Sequence, residues 1–262
     1  MKSLIIMMSI YTRIPMPQIE WEDTSMKRML LFLPAAGVPV GAAEVLWMFL
    51  FGYLHLPANA GLCAVVAALI PVLLTGGIHM DGLADSADAL ASWGSSEKKR
   101  AILKDPHIGT FGVLALVMYI MCVTVLLQIL FSRICAVEPE AGSFRRAAVL
   151  EGSLFVLSRA LTQTAIAWIP PAAEEGMLYR FASLTNRRVL GLTGGIILIA
   201  GQILWFWTGG LRALLLLPGM ALHLFLFRRK MLRHFGGLSG DLCGRLIQLS
   251  ELWMTALLCW IV

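Results

Sequence analysis

The sequence predicts an all-α integral membrane protein, and three observations support that fold class. Hydrophobic residues make up 58% of the 262 residues and charged residues only 14%, with a mean hydropathy of +0.79. A soluble domain is roughly 45–50% apolar and about 25% charged. The apolar residues form runs long enough to cross a bilayer, and short basic clusters lie between those runs. We expect one polytopic domain over residues 1–262, because no repeat or linker-like composition divides the chain.

About seven apolar stretches qualify as transmembrane helices, each of which needs about 20 mostly apolar residues. They cover residues 29–54, 58–75, 110–132, 147–169, 189–208, 211–227 and 242–262. The N-terminal run 1–11 is too short to span and lacks the small-residue cleavage site of a signal peptide. We expect this run to lie at the membrane surface or to form a re-entrant segment.

The distribution of lysine and arginine predicts which side of the membrane each loop occupies. With a cytoplasmic N-terminus and seven crossings, 15 basic residues lie inside, in segments 1–28, 76–108, 171–188 and 228–241. The opposite side holds four, namely Arg133, Arg145, Arg146 and Arg212. This asymmetry follows the positive-inside rule. The net charge of +5 is therefore attributed to topology, and no nucleic-acid partner is expected.

The densest group of polar residues follows the second apolar stretch and contains three aspartates. Asp81, Asp85 and Asp88 stand at positions i, i+4 and i+7, within about 60° of one helix face. Carboxylates on one stripe repel each other unless a cation lies between them, and Mg²⁺ takes carboxylate oxygens together with substrate phosphates. The alternative is a solvated helix face, but the other faces are apolar and no basic residue is interleaved. The pattern predicts a Mg²⁺ site.

Three glycines accompany this stripe. Gly76, Gly77 and Gly82 leave room for a ligand to approach the main chain closely. Plain helix packing is an equal alternative for any one of them. We include all three among the candidate substrate-binding residues.

A second polar cluster surrounds Pro106, which should interrupt the helix that precedes it. Lys104, Asp105 and His107 are therefore expected on a turn at the start of the third apolar stretch. A lysine at this position suits a phosphate group, and we include Asp105 and His107 among the substrate-binding candidates. The basic run 98–100 is attributed to topology and lipid-surface charge.

A third cluster, residues 235–241, opens the last apolar stretch. Ser239, Gly240 and Asp241 combine a hydroxyl, a flexible main chain and a carboxylate at the start of a predicted helix. Helix N-termini bind phosphate groups through free N–H donors. Simple capping of the helix by Ser239 or Asp241 is an equal alternative.

The ionisable residues within the predicted spans include Glu44, Glu151, Arg159, Arg245 and Glu251. Such residues are costly in hydrocarbon and are functional candidates by default. Structural ion pairs are an alternative, with Arg159 pairing Glu151 or Arg245 pairing Glu251.

These motifs resemble the signature of the cobalamin synthase family, also called adenosylcobinamide-GDP ribazoletransferases. The resemblance rests on TGGIHMDGLADSADAL at 75–90 and ILKDPHIGTFG at 102–112. YTRIPMP at 11–17, LPAAG at 33–37 and GGLSGD at 236–241 agree, so it covers essentially the whole chain. The chain departs from the family at four positions. Serine replaces the usual threonine at Ser86 and Ser239, and Arg245 replaces a small residue. Ala173 lies near a frequent arginine, which argues against a substrate role for the 171–178 loop.

The resemblance implies a transferase that joins adenosylcobinamide-GDP to alpha-ribazole, or to its 5′-phosphate, with release of GMP and a requirement for Mg²⁺. Asp81, Asp85 and Asp88 would hold the metal at the pyrophosphate. One of these carboxylates or His79 would accept the hydroxyl proton. Lys104 and the 239–241 segment would hold phosphate oxygens.

The resemblance also implies a multi-pass protein of the bacterial inner membrane with its active-site face in the cytoplasm. Membrane lipid is an expected partner, and homo-oligomerisation or association with other cobalamin-assembly enzymes stays open. Two alternatives are a CDP-alcohol phosphotransferase-like enzyme and a transporter. This chain lacks the arginine of the D-G-x-x-A-R motif that is typical of the first class. A transporter would have its polar residues at the membrane midplane.

Overall fold

The computed structural model describes residues 1–53, 60–136 and 141–262, and within these ranges every regular element is a helix. The α-helices are α1 (Lys2–Tyr11), α2 (Asp23–Met26), α3 (Gly37–Tyr53), α4 (Ala60–Thr75), α5 (Ile78–Ala91), α6 (Ser96–Ile102), α7 (Thr110–Ala136), α8 (Ala141–Trp168), α9 (Gly176–Leu184), α10 (Arg187–Gly209), α11 (Leu216–Phe235) and α12 (Gly240–Ile261). Two 3₁₀ helices, Met29–Ala36 and Gly210–Leu215, precede α3 and α11. The predicted all-α fold is confirmed.

The helices begin and end where local side chains satisfy the free main-chain groups. The Asn186 side chain accepts hydrogen bonds from two N–H groups at the start of α10, and Ser239 accepts one from Leu242 at the start of α12. Helix α11 ends at Gly236, whose φ of +78° is the left-handed conformation that glycine adopts without strain. Lys99, assigned from sequence to topology, is instead buried and donates to three carbonyls at the end of α5.

The predicted count of seven spans is not confirmed. In the described part of the chain, four helical segments are long and apolar enough to cross a membrane: Met29–Phe51, Thr110–Ile134, Arg187–Phe235 and Gly240–Ile261. The bent pair α4 and α5 would make a fifth. The last residue of the first predicted stretch, 54, and the first two residues of the second, 58 and 59, lie outside the described residues.

Helix α8 explains part of this difference, because it is long enough to cross but carries several polar side chains. Ser158, Arg159, Thr162 and Gln163 are all buried, so they face other helices. Helix α3 packs closely on α8, since a β-carbon built at Gly41 would lie 3.0 Å from the carbonyl carbon of Gly152. α8 is therefore the centre of the bundle, where its polarity is hidden from lipid.

The segment Arg187–Phe235 contains two of the predicted spans, and the chain turns back within it. Gln202 of α10 donates to the carbonyl of Ala213 and accepts from the N–H of Leu217. In one continuous straight helix, residues 202 and 213 would be about 16 Å apart. The turn at Gly210, with φ of +72°, therefore separates α10 from α11.

Outward-facing apolar side chains cover the surface of the long helices. On α10, Leu192, Ile196, Ile199 and Ile203 are all more than half exposed and follow a helical repeat. Val117, Met118 and Met121 on α7 are exposed in the same way. A contiguous apolar surface of this kind suits lipid contact.

Candidate active site

The site begins with a sharp turn between α4 and α5, which are bent by 94° relative to each other. Gly76 and Gly77 form the turn with φ of +67° and +78°, a conformation that other residues rarely adopt. The turn directs α5 across the end of the bundle, where it packs on the start of α12. The aspartate-bearing helix is thereby brought to the glycine-rich segment before α12.

Two glycines allow α5 and α12 to approach closely. A β-carbon built at Gly82 would lie 2.8 Å from Cα of Asp241, and one built at Gly244 would lie 3.2 Å from Cα of His79. The first distance is shorter than real side chains tolerate, so only glycine fits. This contact places the stripe of α5 beside the N-terminus of α12.

A cleft of about 480 Å³ opens between α5, the start of α12, α1, α9 and the 171–176 segment. Six of the residues predicted from sequence line it: His79, Asp81, Lys104, Ser239, Gly240 and Asp241. These residues come from three separate motifs. The structure therefore brings the three polar clusters of the sequence into one cavity.

One rim of the cleft is fixed by main-chain hydrogen bonds. The N–H of Ala172 donates to the carbonyl of Leu238, and the N–H of Leu238 donates to that of Pro170, both at 2.9 Å. Gly237 is required here, because a β-carbon would lie 2.6 Å from the carbonyl carbon of Pro171. The segment after α8 and the segment before α12 therefore form one rigid wall.

Charged side chains of both signs line the cleft. Lys104 forms an ion pair with Glu175, and the hydrogen bond from Lys104 lowers the pKa of the Glu175 carboxyl. Arg100 donates to the carbonyl of Phe235 at 2.8 Å, which fixes the end of α11. Lys104 and Glu175 are each 66% exposed, so their contact is readily exchanged with water or ligand.

The aspartates of α5 form an acidic group with Asp241. Asp85 experiences repulsion from Asp81, Asp241 and Asp88, and Asp241 experiences repulsion from Asp81. Asp81 is exposed and lines the cleft, whereas Asp85 is half-buried just behind it. Like charges held together in this way favour a cation between them.

Asp88 is bound differently from the other two aspartates. Its carboxylate accepts hydrogen bonds from the N–H of Gly109 at 2.7 Å and from the N–H of Gly112 at 2.9 Å. Gly109 immediately precedes α7 and Gly112 lies in its first turn, where main-chain N–H groups have no helical partner. Asp88 therefore caps α7 and ties it to α5.

His79 lies at the inner end of the cleft and is 2% exposed. Its ring centroid is 5.7 Å from that of Tyr11, and within the described part of the chain Nε2 has no hydrogen-bond partner. A buried imidazole nitrogen without a partner is a free proton donor or acceptor.

This chain is similar to known proteins over nearly its whole length. The family model described as Cobalamin-5-phosphate synthase matches residues 3–259. A protein of Desulfitobacterium hafniense named adenosylcobinamide-GDP ribazoletransferase is 33% identical over 261 residues, covering 96% of this chain and 94% of that relative. A protein of Lachnoclostridium phytofermentans with the same name is 31% identical over 258 residues, covering 96% of this chain and 91% of that relative. No solved structure matches the chain.

The chain belongs to the cobalamin-5-phosphate synthase family. Membership confirms the resemblance found in the sequence and, with it, the expected role in cobalamin assembly. The matched range covers α1 and all helices that surround the cleft, so the site described above lies within the family's common region.

The residues of this family member fit Mg²⁺ by their chemistry. In the described ranges, no group of three His, Cys, Asp or Glu side chains is arranged to hold a metal ion by itself. Mg²⁺ commonly binds one or two carboxylates and completes its shell with water and substrate phosphates. The acidic group of Asp81, Asp85 and Asp241 supplies hard oxygens of this type, whereas Asp88 is already engaged by α7.

Some predicted residues lie outside the cleft lining. Gly76 and Gly77 form the α4–α5 turn, and Gly82 is covered by Asp241. Asp105 and His107 are exposed on the loop before α7 and contact each other at 2.7 Å, where hydrogen bonds from His107 lower the pKa of Asp105. Substrate contact by these five residues stays a prediction.

Four polar residues that line the cleft were not predicted from the sequence: Tyr11, Arg100, Glu175 and Tyr179. Tyr11 begins the YTRIPMP motif, which is part of the family resemblance. The 171–178 loop was set aside because of Ala173, but the structure makes it a wall of the cleft.

Proposed function

We propose that this chain is an adenosylcobinamide-GDP ribazoletransferase that works at the cytoplasmic face of a bacterial inner membrane. The observation that carries the proposal is the meeting of Asp81, Lys104 and Ser239–Asp241 in one cleft. These groups suit a phosphorylated substrate, and they lie within the residue range that the family model matches.

The proposed reaction transfers the phosphate that carries cobinamide. The hydroxyl oxygen of alpha-ribazole forms a bond to this phosphorus. The bond between the same phosphorus and the bridging pyrophosphate oxygen breaks, and GMP leaves with the bonding electrons. The hydroxyl proton passes to an acceptor in the enzyme. The site must therefore bind phosphate oxygens, balance the charge on GMP and accept one proton.

Three features of the cleft would bind the phosphate groups. Lys104 would exchange its exposed contact with Glu175 for a phosphate oxygen. The free N–H groups at the start of α12 favour anions, and Gly240 has open space above its main chain. Arg100 adds positive charge to the same cavity.

Mg²⁺ is the proposed cofactor. Asp81 and Asp85 would hold it, with Asp241 beside them, and Asp88 would support the position of α5 through its bond to α7. When bound, Mg²⁺ would offset the negative charge that develops on the leaving phosphate. Without a cation, this acidic group would repel a pyrophosphate.

His79 is the proposed proton acceptor. Its Nε2 has no partner in the described part of the chain, it lines the cleft, and the Tyr11 ring beside it fixes its position. Asp81, which is exposed to the same cavity, is the alternative acceptor.

Part of the cleft lining is apolar and suits the aromatic base of alpha-ribazole. Ile10, Met177, Leu178, Tyr179 and Phe181 line it. An aromatic ring packs favourably against tyrosine and aliphatic side chains. The cleft thus offers polar groups for the pyrophosphate and apolar side chains for the nucleoside.

The cytoplasmic orientation is proposed from charge. The clusters 98–104 and 228–233 lie at the end of the bundle that carries the cleft. The positive-inside rule assigns such clusters to the cytoplasm.

Purified protein in lipid nanodiscs provides the test. We expect GMP and adenosylcobalamin, or its 5′-phosphate, in equal amounts when adenosylcobinamide-GDP, alpha-ribazole or its 5′-phosphate, and Mg²⁺ are all present. Omitting either substrate, or adding EDTA, should abolish both products. No GMP under complete conditions, together with CMP release from a CDP-alcohol, would contradict the proposal.

A further inference from the structure

A separate polar cluster lies inside the bundle, away from the cleft. Among the described residues, Glu44 of α3, Glu151 of α8 and Glu251 of α12 are each at most 3% exposed. Asp241 and Glu251 are ten positions apart on α12, which corresponds to about 15 Å along the helix axis. The cluster is therefore near the middle of a hydrocarbon layer that is about 30 Å thick.

One of these glutamates is neutralised by a neighbouring side chain. Arg159, which is 1% exposed, donates to Oε1 of Glu251 at 2.7 Å. The hydroxyl of Ser158 donates to the same oxygen at 3.0 Å. This pairing differs from both pairs suggested by the sequence, since Arg245 instead donates to Ser86.

The other two glutamates have oxygens without partners. Oε2 of Glu44 and Oε2 of Glu151 are buried and make no hydrogen bond in the part of the chain that the structure describes. Buried polar groups are almost always satisfied, so an unpaired pair inside a membrane indicates a missing ligand.

A small cavity of about 20 Å³ is lined by these three carboxyl groups. It has room for a single species the size of a water molecule. Tyr119, Gln248 and Thr255 line it together with the glutamates, and its described lining includes no lysine, arginine or histidine. The cavity thus combines negative charge with neutral oxygen donors.

We propose that this cavity binds one Na⁺ ion between Glu44 and Glu151. The available donors are oxygens, which hard cations prefer. Na⁺ is smaller than a water molecule and fits the cavity, and carboxylate oxygens attract it more strongly than the larger K⁺ because the charges approach more closely. Mg²⁺ gives up its waters reluctantly and needs a complete octahedral shell. A bound Na⁺ joins α3 to α8 and offsets carboxylate charge that the protein itself does not neutralise.

Thermal unfolding of the purified protein in nanodiscs tests this site. The probe is NaCl at constant ionic strength, with choline chloride and KCl as comparisons. We expect the melting temperature to rise saturably with Na⁺ by several degrees and to respond little to choline or K⁺. Glu44→Gln and Glu151→Gln should abolish the Na⁺ response, while the exposed control Glu20→Gln should retain it.

Equilibrium dialysis of the wild-type protein with ²²Na⁺ gives a second measurement that does not depend on the variants folding. One Na⁺ retained per chain above a protein-free nanodisc blank supports the proposal. No retained Na⁺ overturns it, as does a wild-type melting temperature that is the same in NaCl and choline chloride. A response to pH alone also overturns it, because the carboxyls would then hold protons instead of Na⁺.

Discussion

The cleft and the buried glutamate cluster both gather carboxylates, but they do so under opposite conditions. In the cleft, Asp81 is open to water and faces a cavity large enough for a nucleotide. In the buried cluster, Glu44 and Glu151 face a cavity with room for one water-sized species. The number of acidic groups is similar, so size and access to solvent decide what each region can bind.

The helices that supply the two regions differ as well. The cleft depends on a turn, two helix termini and close glycine contacts, all of which leave main-chain groups near a ligand. The glutamate cluster depends on side chains in the middle of α3, α8 and α12, whose main-chain groups are satisfied within the helices. Substitutions should therefore affect chemistry in the first region and stability in the second.

The largest expected effect is on turnover in the cleft. Asp81→Asn and Asp85→Asn should each reduce the rate of GMP release by a factor on the order of 10²–10⁴, because the charge that holds Mg²⁺ is lost. The melting temperature should change little, since Asp81 is exposed. Rates are compared at saturating substrates over a range of Mg²⁺. Near-normal turnover in both variants would show that these aspartates do not hold the metal.

The buried ion pair should give the largest effect on stability. Arg159→Met leaves the Glu251 carboxylate without its partner and should reduce the free energy of unfolding by about 3–5 kcal/mol. The double variant with Glu251→Met should recover much of the loss, because no charge is then unpaired. Unfolding is followed by tryptophan fluorescence in mixed micelles. A single variant as stable as the wild type would contradict the pairing.

The close contact of α5 and α12 should be sensitive to one methyl group. Gly82→Ala forces the helices apart at Asp241 and should cost about 1–3 kcal/mol of stability, with a parallel loss of turnover. Gly195→Ala on α10 is the matched control, because its β-carbon meets no atom within 4 Å. Equal behaviour of the two variants would argue against tight packing at this site.

Asp88 should behave as a capping residue. Asp88→Ala removes the acceptor for two N–H groups of α7 and should lower stability by about 0.5–2 kcal/mol. Its effect on turnover should be smaller than that of Asp81→Asn in the same assay. If Asp88→Ala instead eliminates the Mg²⁺ response while stability is kept, the sequence-based assignment of Asp88 as a metal ligand is the correct one.

The smallest effect is expected at Lys104. Lys104→Ala should lower kcat on the order of tenfold, more than it raises KM, because negative charge on GMP grows as the bond breaks. Lys98→Ala, also exposed but outside the cleft, is the control. Equal small losses in both variants would assign Lys104 to surface charge, and the phosphate contact would then lie elsewhere in the cleft.

The sequence predicted the parts of this molecule that depend on short-range patterns. Composition alone indicated a helical membrane protein, and the rarity of polar residues made each polar cluster informative. The residues around Asp81, Lys104 and Ser239 were identified separately and proved to line one cavity. Their meeting depends on the Gly76–Gly77 turn, whose direction a linear pattern does not specify.

Other features depend on contacts between distant residues and could not be predicted. Arg159 pairs with Glu251, 92 positions away, and neither sequence-based pairing was correct. In the sequence Lys99 resembles a surface charge, but in the structure it donates hydrogen bonds to three carbonyl groups. Helix α8 resembled an ordinary span, but its polar side chains required a central position.

Two of the arginines on the side opposite the cleft interact with the end of α12. Arg133 donates to the carbonyl of Cys259, and Arg212 donates to that of Trp260 at 3.2 Å while lying over the Trp260 ring. Both interact with the last carbonyls of α12, where a positive charge is favourable. Charge counting assigned these residues to topology only, because it does not include such caps.

Two contacts in the lining of the cleft differ in how readily they break. On one rim, reciprocal main-chain hydrogen bonds join Pro170–Ala172 to Leu238, so separating the two strands of chain would break both bonds at once. In the same lining, Lys104 and Glu175 meet through exposed side chains in water, where such a contact is weak. The Lys104–Glu175 contact is therefore the easier of the two to break, and bulky substrates should enter the cleft past Glu175.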